Sequence, residues 1–302
     1  MAEDCGADSG RSRYGTLARA KVNLTLRVLG RRADGYHELQ SLVAFADVGD
    51  EVELDLTAPP SVSMKGPYAI AISGPNLVET TLQRLAQTEP RFRLGAVTIE
   101  KNLPVAAGLG GGAGDPAATL RVIRAANPAF AHSIDWLGIA ASLGADVPVC
   151  FLDRTALMWG IGEKLRAVDA LPRLPAVLVT PDADVPADKT RQVFRELAAG
   201  PVPESNDSEP DLPPSLECVD ELVNFLRQYD NDLAAPARKV VPAIADAEGL
   251  LAACAACLLV RVSGAGPTCY GIFPNPEIAQ AAAQRISAAR PNWWVRAVTL
   301  GD

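Results

Sequence analysis

The chain has 302 residues, 48% of them apolar and 21% charged, enough for two domains or one large one around a real core. Its formal net charge of −8 argues against a nucleic acid or an anionic membrane as the main partner, so an anionic substrate has to be held by local features. There is no run of about 18 or more apolar residues to cross a membrane, and residues 1–15 lack an apolar signal core, so they are expected as a disordered lead-in to a cytoplasmic protein.

Residues 17–29 alternate: Val22, Leu24, Leu26 and Val28 face one way, Lys21, Asn23, Thr25 and Arg27 the other, the pattern of a half-buried strand. Lys21 and Asn23 therefore share a face, and on the strand alone Lys21 reads as a solvated lysine. The turn-rich stretch that follows ends in Asp34-Gly35-Tyr36-His37. His37 suits an ordinary surface position, but a Tyr-His pair directly after a tight turn also suits stacking and hydrogen bonding to a base. Residues 39–48 and 51–56 read as strands joined around Gly49-Asp50, and Gly74-Pro75-Asn76 precedes an amphipathic helix over 77–87.

A short strand over 96–101 leads into Pro104-Val105-Ala106-Ala107-Gly108-Leu109-Gly110-Gly111-Gly112-Ala113-Gly114-Asp115. A helix is predicted over 116–127, with Asp115 as N-cap, Pro116 in its first position and Asn127-Pro128 as its stop. Glycine lets the backbone adopt positive φ and approach a ligand. A helix start adds unpaired N–H groups and the positive end of a dipole, so the junction suits phosphate. A flexible loop is the plain alternative. Residues 108–113 formally fit G-x-G-x-x-A, but that fingerprint comes directly off a strand, and residues 102–107 intervene here. The P-loop signature fails because no Lys-Ser or Lys-Thr pair follows the glycines.

Next comes a helix over 133–143, capped by Ser133 and closed by Gly144, then Asp146 ahead of an apolar strand over 147–151. Asp146 either caps a turn or delivers a carboxylate to a cleft from a rigid junction. A strand and turn occupy 155–165, and Leu171-Pro172-Arg173-Leu174-Pro175 reads as a boundary. Beyond it are a strand over 176–180, a helix over 189–198, a polar loop over 200–214 expected to be mobile, and helices over 216–228 and 236–248. A strand over 257–262 feeds the turn Ser263-Gly264-Ala265-Gly266-Pro267-Thr268. A strand over 269–273, a helix over 276–289 and a strand over 294–300 finish the chain. Cys5, Cys150, Cys218, Cys254, Cys257 and Cys269 are scattered, and the only histidines are His37 and His132. Cys254 and Cys257 form a lone C-x-x-C without a second pair, so buried reduced thiols are expected and no metal ligands are assigned.

The strand with Lys21 and Asn23, the central glycine loop and the Ser263–Gly266 turn together resemble the GHMP kinase superfamily, which cradles ATP phosphates without a Walker motif. Ala20-Lys21-Val22-Asn23-Leu24, Asp34-Gly35-Tyr36-His37, Leu143-Gly144-Ala145-Asp146-Val147-Pro148, Gly160-Ile161-Gly162-Glu163 and Asn231-Asp232-Leu233 extend the likeness in the same order over 17–273. The Asp-Gly-Tyr-His element is similar to the branch that serves the non-mevalonate isoprenoid pathway. The resemblance implies an α+β fold of two domains. Residues 1–170 would be ribosomal protein S5 domain 2-like with a left-handed crossover, residues 171–302 ferredoxin-like, and the active site would lie between them.

It also implies ATP and Mg²⁺ as cofactors and transfer of a phosphoryl group to the 2-hydroxyl of a cytidine diphosphate-linked methylerythritol. By that likeness Asp146 is the general base and Lys21 its companion, stabilising charge near the reacting oxygens. Asn23 binds the methylerythritol end. Tyr36 and His37 hold the cytosine, with Phe194 closing from the other face. Pro104, Gly108, Leu109, Gly110, Gly111 and Gly112, with the amides of Ala113, Gly114 and Asp115, hold the ATP phosphates. Lys101 lines the adenine side, and Gly264 and Ala265 border the transfer cleft. Kinases of homoserine, mevalonate or sugars have no base for Tyr36-His37 to hold, and a non-catalytic ATP sensor needs no Lys21–Asp146 pair. Relatives carry serines where this chain has Ala113-Gly114, which predicts weaker ATP binding. A monomer or weak homodimer is expected.

Overall fold

The computed structural model describes residues 11–69, 76–169, 171–203 and 218–302. The alternating stretch expected as one strand is two, β1 (Arg13–Asn23) and β2 (Arg27–Arg31). β1 starts inside the segment expected to be disordered, with Arg13 opposite Asp55, while residues 1–10 lie outside the described residues. Near its end β1 is buried on both faces, Lys21 and Asn23 as well as Val22. Alternation reports local polarity only. What covers the polar face comes from elsewhere in the chain: the Gly110 loop lies over Lys21, and Ser41 and Ser263 meet Asn23.

The two strands expected around Gly49-Asp50 are a single 19-residue strand, β3 (His37–Asp55). Gly49 does not turn the chain. Its missing Cβ lets β3 lie against β1, where a side chain would run into the Ala18 carbonyl. β4 (Ser61–Lys65), α1 (Leu77–Thr88) and β5 (Ala96–Glu100) form a β-α-β unit with β4 and β5 parallel, and β5 pairs antiparallel with the end of β3. Asn76 caps α1 by accepting from the Val78 N–H.

α2 (Gly111–Ala126), α3 (Trp136–Leu143) and α4 (Val147–Leu152) follow. α3 starts later than expected, capped by the carboxylate of Asp135, not by Ser133. The stretch expected as an apolar strand over 147–151 is helix α4. A short apolar run does not distinguish strand from buried helix, and α4 is buried at every residue through Phe151. β6 (Ala156–Gly160) pairs with β3, and β7 (Lys164–Ala167) pairs with β6.

The later elements are β8 (Leu174–Thr180), α5 (Lys189–Leu197), α6 (Val219–Leu226), α7 (Ala234–Val240), α8 (Ala243–Ala252), β9 (Leu259–Val262), β10 (Cys269–Ile272), α9 (Pro276–Ala289) and β11 (Trp294–Leu300). The helix expected over 236–248 is two, broken at Val241-Pro242, where proline bars the preceding residue from the helical region. Of the loop expected over 200–214, residues 204–214 lie outside the described residues. The strands order β11-β8-β10-β9 with every neighbour antiparallel, and helices fill the β8–β9 and β10–β11 connections. That is the split β-α-β topology of a ferredoxin-like unit.

The two halves share a sheet path and a core. Leu300 of β11 bridges Ala46 of β3, and the Gly301 N–H donates to the Phe45 carbonyl at 3.0 Å. One apolar cluster takes Ala20, Val22 and Leu24 from β1 together with Leu178, Tyr270 and Trp294 from the C-terminal sheet. The buried Tyr270 hydroxyl donates to the Leu24 carbonyl at 3.1 Å. This packing buries the apolar side of β1 and leaves Lys21 and Asn23 on the other side, toward the loops described next.

Candidate active site

The glycine loop meets α2 earlier than its sequence suggests. α2 begins at Gly111, its N-cap is Gly110 at φ 72°, and Pro116 lies inside the helix. Asp115 therefore does not cap α2. Gly108 and Gly110 need positive φ and also closeness: a Cβ on Gly108 would lie 2.6 Å from the Gly266 oxygen, and one on Gly110 3.0 Å from Lys21 Cβ. The Ala113 and Gly114 amides both donate to the Gly110 carbonyl, at 2.8 and 2.7 Å. Of the amides expected to hold phosphate, those of Ala113 and Gly114 are thus taken up within the helix, while Gly111 and Gly112 stand at its first turn. A Cβ at either would meet nothing within 4 Å. Leu109 turns its side chain into the core and uses its carbonyl to accept the Lys21 N–H at 2.8 Å. Pro104 sits half-buried where the loop leaves Leu103.

Lys21 comes to this loop on β1 and Asp146 on the residue before α4. Asp146 occupies an N-cap position, yet its side chain makes no capping bond. Its Oδ2 accepts from Lys21 Nζ at 3.0 Å instead. The Lys21 side chain is 6% exposed and the Asp146 side chain 41%. The ammonium lies beneath and the carboxylate faces the opening. α4 is pinned in this attitude: Arg121 of α2 donates to the carbonyls of Cys150 at 2.5 Å and Leu17 at 2.7 Å, and Arg19 pairs with Asp153 at 2.9 Å.

Asn23 lies beyond Lys21, against the late glycine turn. Its Nδ2 donates to Ser41 Oγ at 2.8 Å, and a Cβ on Gly264 would lie 3.3 Å from its Oδ1. Ser263 Oγ donates to the Gly108 carbonyl at 3.0 Å, so this turn also holds the central loop. Asn231 fixes the turn from below, with Nδ2 donating to the carbonyls of Val262 at 2.9 Å and Gly264 at 2.7 Å. The sequence singled out Asn231 only as part of a resemblance; its work is to shape the turn that carries Gly264 and the buried Ala265. The structure therefore brings together Lys21, Asn23, Asp146, the 108–112 loop and the 263–266 turn.

Two expectations change. Tyr36 is 58% exposed, and His37 stacks directly on Phe194, with ring centroids 4.4 Å apart and planes 23° from parallel. Phe194 therefore does not stand across a gap from His37. Burial, with the nearby Arg31 charge, holds the His37 imidazolium below its usual range. Lys101 does not line an opening: its ammonium turns inward to Asp50, and to Asp115 at 2.6 Å. Asp50 also accepts the N–H groups of Asn102 and Leu103, at 2.6 and 2.8 Å. Asp115 Oδ1 is buried without a partner, and burial pushes this carboxyl up to about 7. The triad braces the base of the glycine loop against α2. Lys189 went unnoticed in the sequence, since nothing about a lysine opening a helix signals burial. Its ammonium donates to the carbonyls of Ala106 at 3.0 Å and Gly266.

Among the described residues no group of three or more His, Cys, Asp or Glu is placed to hold a metal ion, and no helix is long and apolar enough to cross a membrane. Cys150, Cys218, Cys254, Cys257 and Cys269 are free, while Cys5 lies outside the described residues. Burial pushes Cys150 up to about 12 and Cys257 to about 11, the behaviour of inert core thiols.

The family model for the GHMP kinases N terminal domain matches residues 76–154, and that for the GHMP kinases C terminal matches residues 214–292. A protein of Parvibaculum lavamentivorans named 4-diphosphocytidyl-2-C-methyl-D-erythritol kinase is 44% identical over 286 residues, covering 94% of this chain and 97% of its own length. One of Rhodopseudomonas palustris with the same name is 42% identical over 291 residues, covering 94% of each. A crystal structure of 4-(cytidine 5'-diphospho)-2C-methyl-D-erythritol kinase superposes with a TM-score of 0.71 at 33% identity, over 96% of this chain and 100% of that one. A homoserine kinase from Cytophaga hutchinsonii, at 17% identity and a TM-score of 0.65 over 98% of each chain, shares the fold. The chain belongs to the GHMP kinases and, within them, to the family of 4-diphosphocytidyl-2-C-methyl-D-erythritol kinases.

Proposed function

We propose that the cleft between the 108–112 loop and the 263–266 turn carries out this family's reaction with Asp146 as base. The chain is an ATP-dependent kinase that phosphorylates 4-diphosphocytidyl-2-C-methyl-D-erythritol in non-mevalonate isoprenoid synthesis. The observation that carries the site is the Lys21–Asp146 pair, a buried ammonium under a carboxylate that faces the cleft.

In this reading Asp146 takes the proton of the 2-hydroxyl as that oxygen bonds to the γ-phosphorus of ATP. The bond from the γ-phosphorus to its bridging oxygen breaks, and ADP leaves with that electron pair. Phosphoryl transfer asks the protein mainly for positioning and charge stabilisation. The Gly111 and Gly112 amides and the N-terminus of α2 meet phosphate charge, and Lys21 orients Asp146 and steadies charge beside it. Asn23 meets the methylerythritol end. Tyr36 and His37 take the cytosine once Phe194 moves aside.

Magnesium neutralises polyphosphate charge when bound. Asp146, whose side chain is 41% exposed, is the residue that would meet such an ion alongside the ATP phosphates. The free thiols suit a reducing, cytoplasmic setting. A division near residue 171 suits the ferredoxin-like run that opens with β8.

Purified protein with ATP, Mg²⁺ and 4-diphosphocytidyl-2-C-methyl-D-erythritol is expected to yield ADP and the 2-phosphorylated product by mass spectrometry. Asp146→Asn is expected to bind both substrates and yield almost none. Full turnover by Asp146→Asn would remove Asp146 as base, and a wild type that binds neither compound would overturn the site as a whole.

A further inference from the structure

Helix α5 touches both substrate sites of the proposed reaction, one at each end. At its first residue, Lys189 is 4% exposed, and its ammonium donates to the Ala106 carbonyl, beside the phosphate loop, and to the Gly266 carbonyl in the late turn. No carboxylate of the described residues pairs with it, and burial pulls it down to about 8. Lysines are rarely buried without an anion. This one is kept where two left-handed backbone positions meet, Ala106 at φ 57° and Gly266 at φ 65°. Further along α5, Phe194 stacks on His37. Between the two contacts Val193 is fully buried in the C-terminal core, and beyond them Glu196 pairs with Lys239 of α7 at 2.6 Å, so both contacts sit on one short helix held at its middle and its end.

A ring inserted between two others needs about 7 Å between their planes, twice the carbon–carbon contact distance. The His37 and Phe194 centroids are 4.4 Å apart. We propose that α5 couples the nucleobase site to the phosphate loop. A base entering beside His37 displaces Phe194, and Lys189, on the same helix, passes that displacement to Ala106 and Gly266. Lys189 is thus a positioning residue. The inference rests on the reading that His37 receives the cytosine and that the glycine loop receives ATP.

Coupling between two ligands is reciprocal, so each has to change the affinity of the other by the same factor. The test titrates the wild type with a non-hydrolysable ATP analogue, alone and with saturating cytidine 5′-diphosphate, and then in the opposite order. The expected factor is about fivefold or more in both orders, the low end of usual coupling. Lys189→Met is expected to bind each ligand with the factor reduced to about one, and Lys189→Arg, which keeps charge and donors, to recover part of it. A merely structural lysine would leave the factor unchanged. Two ligands that bind the wild type independently overturn the coupling alone. Failure of cytidine diphosphate to bind the wild type overturns the nucleobase reading, and the coupling with it. An unchanged factor in Lys189→Met removes Lys189 from the relay. Should Lys189→Met not fold, hydrogen exchange on the wild type decides: cytidine diphosphate alone is expected to change exchange in 106–112, and unchanged exchange overturns the proposal.

Discussion

Asp146 holds an N-cap position without capping, because its carboxylate is committed to Lys21. A capping aspartate substituted by asparagine would hardly affect turnover. A catalytic one loses the proton acceptor, so Asp146→Asn is expected to lower kcat by about 10²–10⁴-fold with both Kd values preserved, measured by initial rates and titration calorimetry. Asp115 is the opposite case, a carboxyl that folding makes less acidic. Its native value of about 7 lies above the ordinary 3.8, so the folded state binds more protons between those limits. The stability it contributes is therefore present at low pH and lost as pH rises through 7. Asp115→Asn removes that loss. Its Tm relative to wild type is expected to improve between about pH 5 and about pH 8, and a pH-independent difference would refute the assignment.

At the scale of elements, the opening of α2 decides what the glycine loop can hold. Gly110→Ala places a Cβ in a left-handed position, at about 1–2 kcal/mol, and against Lys21. A lower Tm together with a raised KM for ATP is expected; a lower Tm alone would leave the loop a purely structural turn. The family resemblance implies serines in this first turn, where this chain has Ala113 and Gly114. A Cβ on Gly114 would point at Ala18 Cβ, 3.6 Å away, on the β1 side of the helix. Ala113→Ser is therefore the substitution expected to tighten ATP, about fivefold for one added hydrogen bond, with Gly114→Ser nearly neutral. Equal Kd values in all three proteins would count against any deficit from the missing hydroxyls. Element types were legible where periodicity was long, as in α1 and α9, and where a glycine-rich turn separated two short apolar runs, as between β9 and β10. α4 was misread because an apolar hexapeptide has no period long enough to tell the two apart.

At the scale of the whole molecule, the two halves depend on each other for burial. The C-terminal sheet covers Ala20, Val22 and Leu24 of β1, and the late turn meets Asn23 on its other side. Tyr270 spans that seam through its bond to the Leu24 carbonyl. Tyr270→Phe leaves this buried carbonyl unpaired and is expected to cost about 1–3 kcal/mol, read as a lower midpoint in urea with kcat little changed. A proportionate fall in kcat would place the seam in the catalytic geometry as well.

The sequence by itself determined the chemistry on offer: glycines where the backbone takes positive φ, a lysine and an asparagine on one face of a strand, an aspartate at a junction, and motifs whose order marks a GHMP kinase. Such features are local, and local patterns survive in one dimension. Tertiary structure alone decided the partners. It paired Lys21 with Asp146 across 125 positions, turned Lys101 inward onto Asp50 and Asp115, closed Phe194 over His37 and buried Lys189 between two carbonyls. Whether a charged group faces water, a carboxylate or a carbonyl depends on what packs over it from elsewhere in the chain, and that cover leaves no trace in the neighbouring residues.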